Sequence, residues 1–243
     1  MSLKIAFIGA GRMAAAMVRG LLANPSQLPA DIVCTAAPDG TAEALSKATG
    51  IGVSYDWQRL FSHADWVVLA CKPQQLKDLP PELADWTAGR RILSILAGTS
   101  LQTLSTRFPK ASAVVRTMPN TPGMIQAGMT VFAPLKPLSD EDHAATLAIL
   151  GSLGKVIEVD EKDINGVTGV SGSGPAYVFE FVAALRDGGI AAGLDPALSY
   201  ELALETVKGA AALLEAVPET PETHRNWVSS PGGTTLAGLA VME

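Results

Sequence analysis

The sequence predicts an α/β protein in which an N-terminal, doubly wound, mostly parallel sheet is followed by an all-helical C-terminal domain. Three observations carry that reading. Short apolar runs rich in β-branched residues alternate with helix-like segments from the N-terminus to about residue 133, the pattern of a parallel sheet covered on both faces. After Asp160 the strands stop and the pattern turns almost purely helical, which puts a boundary between residues 1–160 and 161–243. A chain of 243 residues, 48% of them hydrophobic, is also long enough to bury a sizeable core in one large or two modest domains.

Taken in order, strands are expected at 4–8, 31–35, 66–70, 91–95 and 113–117, with a weaker one at 128–133. Helices are expected between them at 12–22, 41–48 and 101–108. Pro134-Leu135-Lys136-Pro137 interrupts the chain, and Ser139-Asp140-Glu141-Asp142 then opens a helix with an N-cap and early acids that suit its dipole. One further strand is expected at 155–159.

In the C-terminal part, Glu201, Glu205, Lys208 and Glu215 share one face of a helix at 196–216, which predicts a solvated stripe, while Leu198, Leu202, Leu213 and Leu214 fall largely elsewhere and are expected to be buried. Residues 176–185 are apolar nearly all round, and Gly188-Gly189 with Ala191-Ala192-Gly193 permits close backbone approach. So much apolar surface on about eighty residues predicts a partner, a homodimer or larger homo-oligomer formed through these helices.

Charge and composition exclude several classes. The net charge is −6 with no long basic run, so neither nucleic acid nor an anionic membrane is an expected partner. Cys34 and Cys71 sit in apolar segments and read as reduced thiols, which fits a cytoplasmic location. The first strand begins at Lys4, which leaves no room for a signal peptide ahead of it. The most apolar stretch, 176–185, holds Glu180 and soon meets Arg186 and Asp187, too short for a membrane span. His63, His143 and His224 are widely separated in polar stretches, so they read as surface residues and no metal site or Ser-His-Asp triad is expected.

The first strand runs into Gly9-Ala10-Gly11-Arg12-Met13-Ala14, a GxGxxA turn opening a helix, which is the context that a Rossmann-type dinucleotide fingerprint requires. Gly9 makes the turn, Gly11 lets a pyrophosphate approach the backbone, and Ala14 lets helix and strand pack closely. The second strand ends in Ala36-Ala37-Pro38-Asp39, with no acid at its tip to hold the adenosine ribose. Arg12 either faces a phosphate or is a solvated charge. On these grounds NADP is favoured and NAD remains open. Ala70-Cys71-Lys72-Pro73, Ala97-Gly98 and Pro119-Asn120 follow successive strands, where ligands gather in open α/β sheets, and Asn120 is a candidate donor to the nicotinamide end.

Near the C-terminus, Val228-Ser229-Ser230-Pro231-Gly232-Gly233-Thr234-Thr235 is a hydroxyl-rich, glycine-bent turn leading into a helix. Its geometry suits an anion cradle, because unpaired N–H groups at the helix start can hold a small carboxylate. Thr235 also reads as a plain helix cap. Ser171-Gly172-Ser173-Gly174-Pro175 reads as a flexible start to a helix with Pro175 in its first position, or as part of a substrate pocket.

These motifs, in this order from residue 4 to 243, resemble those of the pyrroline-5-carboxylate reductase family. The match rests chiefly on the 228–235 loop, on Val170-Ser171-Gly172-Ser173-Gly174-Pro175-Ala176-Tyr177, on Met118-Pro119-Asn120-Thr121-Pro122-Gly123 and on Lys72-Pro73. The resemblance implies NADPH- or NADH-dependent reduction of L-1-pyrroline-5-carboxylate to L-proline on a Rossmann domain joined to a helical dimerisation domain. It implies that Ser230 and the backbone of Gly232, Gly233 and Thr234 hold the substrate carboxylate, that Thr235 hydrogen-bonds the ring nitrogen, and that Ser171 lies beside the pocket. It also implies dimers or rings of dimers, with the substrate loop of one subunit near its neighbour's cofactor.

Two departures stand out. Ala36-Ala37 replaces a frequent serine or arginine, and the sequence ends at Glu243, where family members usually continue for about another helix. Two rival readings stand beside this one. A β-hydroxy-acid dehydrogenase needs a lysine soon after the glycine-rich segment, and Pro175-Ala176-Tyr177-Val178-Phe179 offers none. A non-catalytic dinucleotide sensor would bind cofactor without turnover.

Overall fold

The computed structural model describes residues 2–62 and 64–242. Met1, His63 and Glu243 lie outside the described residues, and with them the expectations for His63 and for the chain's last position. The chain forms two compact units, Met1–Pro175 and Ala176–Glu243.

In the first unit, strands β1 Ile5–Ile8, β2 Ile32–Thr35, β3 Gly52–Val53, β4 Trp66–Leu69, β5 Arg91–Ser94, β6 Ala113–Met118, β7 Gly128–Pro134 and β8 Gly154–Glu158 build one sheet in the order β3-β2-β1-β4-β5-β6-β7-β8. Pairing is parallel throughout except between β6 and β7, so the last two strands run against the others. The helices of this unit are α1 Arg12–Leu22, α2 Thr41–Thr49, α3 Trp57–Ser62, α4 Leu83–Trp86, α5 Leu101–Arg107, α6 Asp140–Gly151 and the short α7 Ile164–Val167.

The central strands read as unbroken apolar runs because both faces are buried. Side chains alternate strictly between two cores. Ile5, Phe7, Trp66, Val68 and Phe132 enter the one completed by Ala14, Met17 and Val18 of α1 and Ile149 of α6. Ala6, Ile8, Val67, Leu69 and Val131 enter the other, with Leu60 of α3 and Leu104 of α5. The two-residue β3 and the helix α3 lay outside the predicted elements. The first is too short to show a period, and the second is started by Asp56, whose carboxylate accepts from the Gln58 N–H at 2.9 Å and the Arg59 N–H at 3.2 Å.

From α7 the chain stays helical through a π turn at Thr168–Gly172 and into α8, Gly174–Ala191. The expected helix start is one residue late: α8 begins at Gly174 after a bend at Ser173, and Pro175 is its second residue, a first-turn position where its missing N–H is tolerated, while the stretch just before it is a π turn. The second unit continues with α9 Pro196–Ala216, α10 Pro221–Trp227 and α11 Thr234–Met242. Gly189 lies against Ser199, whose hydroxyl donates to the Arg186 carbonyl at 2.7 Å, so the glycine allows α8 and α9 to approach.

One packing expectation is corrected. Leu198, Leu202, Leu213 and Leu214 are 42–50% exposed in the single chain, and α9 buries only Ser199 and Ala203. On α8, Tyr177, Val178, Phe179 and Phe181 are exposed as well. The apolar faces were read correctly, but this chain alone does not cover them. No helix among the described residues is long and apolar enough to cross a membrane.

Candidate active site

The chain runs outward from β1 to β2 and β3, then returns to place β4 on the other side of β1. That reversal opens a crevice at the carboxyl ends of the strands, where ligands of open α/β sheets bind. A cleft of about 500 Å³ lies there. It is lined by Gly9, Ala10 and Gly11 after β1, Ala36 and Ala37 after β2, and Ala70, Cys71 and Lys72 after β4. Eight residues chosen from the sequence for the cofactor therefore meet in one cavity.

The floor is built by close backbone contact. The Gly9 N–H donates to the Thr35 carbonyl at 2.7 Å, and Gly9 holds φ +112°. A side chain there would run into the Ala70 carbonyl and lie 2.6 Å from the Cys71 nitrogen. Gly11 has open space where a Cβ would point. It caps α1, which carries no side-chain cap and no acid in its first turn. The first turn of the helix thus opens toward the cleft with no acid of its own, an arrangement suited to a dinucleotide pyrophosphate. Arg12 and Met13 follow in the same turn, with Arg12 exposed.

The loop after β4 is fixed by Gln75, whose side-chain oxygen accepts from the Lys72 N–H at 2.8 Å. Cys71 is half-buried beside it, and burial raises its thiol pKa. Asp39 also lines the cleft. One of its carboxylate oxygens accepts from the Thr41 hydroxyl at 2.6 Å and the Thr41 N–H at 3.0 Å. Those bonds first, and the nearby Lys72 charge last, lower its pKa below the usual carboxylate value. Sequence reasoning had discounted Asp39 for lying beyond Pro38. Trp57, Thr35, Thr41 and Leu79 were missed as well.

The other chosen residues lie apart from this cavity. Pro73 and Gly98 face a shallower depression with Gln74, Thr99 and Gln102. Ala97 is exposed and Pro119 is buried. The Asn120 side chain donates through Nδ2 to the Ser171 carbonyl at 3.1 Å and accepts through Oδ1 from the Met129 N–H at 2.9 Å. The chosen pair Asn120 and Ser171 is thus joined directly. A partly buried network unseen in the sequence lies in the same unit. Arg116 Nη1 meets Glu161 Oε1 at 3.0 Å and its Nη2 meets Asn165 at 3.2 Å, while the same Glu161 oxygen accepts from the Leu101 N–H at 2.6 Å.

In the second unit Ser230-Pro231-Gly232-Gly233 closes a tight turn, with the Gly233 N–H donating to the Ser230 carbonyl at 2.9 Å and Gly232 at φ +71°. Proline followed by a left-handed glycine is the sequence that such a turn demands. A side chain at Gly233 would meet the Ser230 hydroxyl at 2.6 Å, so this glycine serves by its small size, its own N–H being engaged in the turn. Thr234 opens α11, Thr235 is half-buried in its first turn, and no acid lies there. Among the described residues no group of three or more His, Cys, Asp or Glu is placed to hold a metal.

Residues 161–243 match a family profile described as pyrroline-5-carboxylate reductase dimerisation, and residues 4–98 match one described as NADP oxidoreductase, coenzyme F420-dependent. A pyrroline-5-carboxylate reductase of Synechocystis sp. is 41% identical over 100% of this chain and 91% of its own length. The solved structure of one from Coxiella burnetii is 32% identical at a TM-score of 0.87, covering 99% of this chain and 90% of the other. That of Plasmodium falciparum pyrroline carboxylate reductase, with NADP bound, is 27% identical at a TM-score of 0.88, covering 99% and 89%.

Proposed function

The chain belongs to the pyrroline-5-carboxylate reductase family, and from that premise we propose how its residues reduce L-1-pyrroline-5-carboxylate to L-proline with NADPH. The first amides of α1 with Gly11 hold the cofactor pyrophosphate, Ala36, Ala37 and Pro38 flank the adenosine ribose, and Ala70 to Pro73 with Ala97 and Gly98 line the path toward the nicotinamide. The bound cofactor supplies the hydride, so the protein need only place and polarise the acceptor.

The substrate carboxylate is held by the Ser230 hydroxyl and by free amides at Gly232 and Thr234, with Gly233 giving the turn its close approach. Each hydrogen bond to the charged group contributes roughly 1.5–3 kcal/mol. Thr235, one residue further, hydrogen-bonds the ring nitrogen and fixes the plane of the C=N bond. Bound as the protonated iminium, with its N–H donating to the Thr235 hydroxyl, the ring would accept a hydride at carbon and retain that proton on nitrogen, giving the neutral secondary amine. The family resemblance makes Ser171 a further candidate to contact the substrate. The observation that carries this reading is the Gly232-bent turn delivering Ser230 and two threonines to an acid-free helix start.

We place the dimerisation and substrate-binding half at residues 161–243. The profile match over those residues and the exposed apolar faces of α8 and α9 support that assignment and a homo-oligomer formed through these helices. The test follows NADPH absorbance with the cyclic imine for the wild type and Thr235→Ala. The expected loss in kcat/KM is roughly 10–100-fold, or about 1.4–2.8 kcal/mol of transition-state stabilisation. An unchanged value would reduce Thr235 to a helix cap, and a wild type that binds NADPH without turning over would overturn the activity.

A further inference from the structure

We propose that Asn120 is a positioning residue: it supplies the hydrogen bond that Pro175 cannot, and thereby fixes the π turn that carries Ser171. The helical run from Ile164 to Ala191 widens at Thr168–Gly172, where the Ser173 N–H reaches back five residues to the Thr168 carbonyl at 2.8 Å. In an α-helix the next donor to the Ser171 carbonyl would be the N–H four residues on. That residue is Pro175, which has none. A half-buried carbonyl left without a donor is costly, and Asn120 Nδ2 fills the vacancy at 3.1 Å.

The donor's orientation is set on its other side. Because the Met129 N–H donates to Asn120 Oδ1 at 2.9 Å, the amide nitrogen must point toward Ser171. The strand end just before it adds a second grip, since a side chain on Gly172 would lie 2.6 Å from the Met118 methyl carbon. The turn after β6 and the π turn are therefore locked together by one side chain, and π turns recur at functional sites. Both heavy polar atoms of the Asn120 amide are engaged in this lock. Its influence on catalysis therefore runs through the Ser171 backbone, in place of the nicotinamide contact suggested by its sequence position.

The proposal rests on the placement of Ser171 beside the substrate, and the test separates the two ideas by a cycle of Asn120→Ala, Pro175→Ala and the double variant. Asn120→Ala is expected to raise the KM for the imine roughly 5–20-fold while the NADPH Kd, measured by fluorescence titration, stays within about twofold. Pro175→Ala returns an N–H to the helix, so in the Asn120→Ala background it is expected to recover most of that loss and to raise the urea midpoint. Additive effects of the two substitutions on the midpoint would overturn the proposal. So would an Asn120→Ala protein whose NADPH Kd rises tenfold at constant KM. If the wild type shows no turnover, the functional reading fails, and coupling or additivity in the urea midpoint still decides whether Asn120 replaces the lost bond. Should Asn120→Ala fail to fold, Asn120→Asp keeps the acceptor for Met129 while removing the donor, and its rescue by Pro175→Ala is read the same way.

Discussion

The two glycines of the cofactor turn should fail in opposite ways when each is replaced by alanine. At Gly9 the backbone holds φ +112°, where an L side chain is strained, and the added methyl would press into the Ala70 carbonyl and lie 2.6 Å from the Cys71 nitrogen. Those are main-chain atoms at the end of the central β4, so relief requires strand ends to part. Strain of about 1–3 kcal/mol from the backbone and a similar amount from overpacking add to roughly 2–6 kcal/mol. For a chain of this length that corresponds to a fall of roughly 4–24 °C in Tm. At Gly11 a Cβ meets nothing within 4 Å, and φ is −70°. Gly11→Ala should therefore hold its Tm within about 3 °C, allowing for a poorer N-cap, while the methyl occupies the space reserved for phosphate. Its NADPH Kd is expected to rise about tenfold or more, equivalent to about 1.4 kcal/mol. Differential scanning calorimetry and fluorescence titration of both variants decide the matter. If Gly9→Ala keeps the wild-type Tm, or if Gly11→Ala binds NADPH as tightly as the wild type, the steric account of the turn is wrong.

Two other predictions rest on titratable groups. Asp39→Asn retains an oxygen for the Thr41 N–H and hydroxyl but removes a negative charge from the cleft rim. The ratio of NAD to NADP dissociation constants should rise roughly 3–10-fold in favour of the 2′-phosphate, as paired titrations would show, and an unmoved ratio would place the phosphate elsewhere. Burial, with a smaller contribution from Glu43, pushes the Cys34 thiol from 9.0 up to about 11. The unfolded chain then ionises this group before the folded one does. Its contribution to stability is full below pH about 9 and is lost as pH rises to about 11. Urea midpoints across that window should fall more for the wild type than for Cys34→Ala, and parallel curves would show that Cys34 is not the group responsible.

Where local chemistry and the global fold agree, the sequence alone was informative. Ile5-Ala6-Phe7-Ile8 and Trp66-Val67-Val68-Leu69 are buried on both faces, so their composition already specified central parallel strands. Gly9 and Gly11 were legible because each answers a separate backbone demand. The spacing of Leu198, Leu202, Leu213 and Leu214 marked an apolar face, but spacing does not distinguish burial by the same chain from burial by a second copy. Ser171 to Pro175 marked the entry to α8 to within one residue, but no local pattern announced the π turn just before it. There the Ser171 carbonyl, which Pro175 cannot serve, finds Asn120, a residue fifty-one positions away in sequence. The contacts of Arg116 with Glu161 and Asn165 were hidden for the same reason, because no local pattern announces a partner supplied by another segment.

A chain of net charge −6 that binds an anionic cofactor and an anionic substrate must do so through the placement of charge. Five helices meet oxygen at their N-termini. Asp39 and Glu43 stand at the start of α2, Ser139 and three acids at α6, and Ser100 together with the Glu161 carboxylate at α5. Asp195 accepts from two amides of α9, and Thr220 caps α10 beside Glu222. The starts of α1 and α11 differ from these: each is preceded by a glycine and, like the start of α8, is free of acids through its first turn. A helix dipole is worth about 0.3–1 kcal/mol to a charge at its end, and an acid there would cancel it. Negative charge is thus concentrated where helices need capping and withheld from the two turns where a phosphate and a carboxylate must arrive, which is why the total charge of the chain says so little about what it binds.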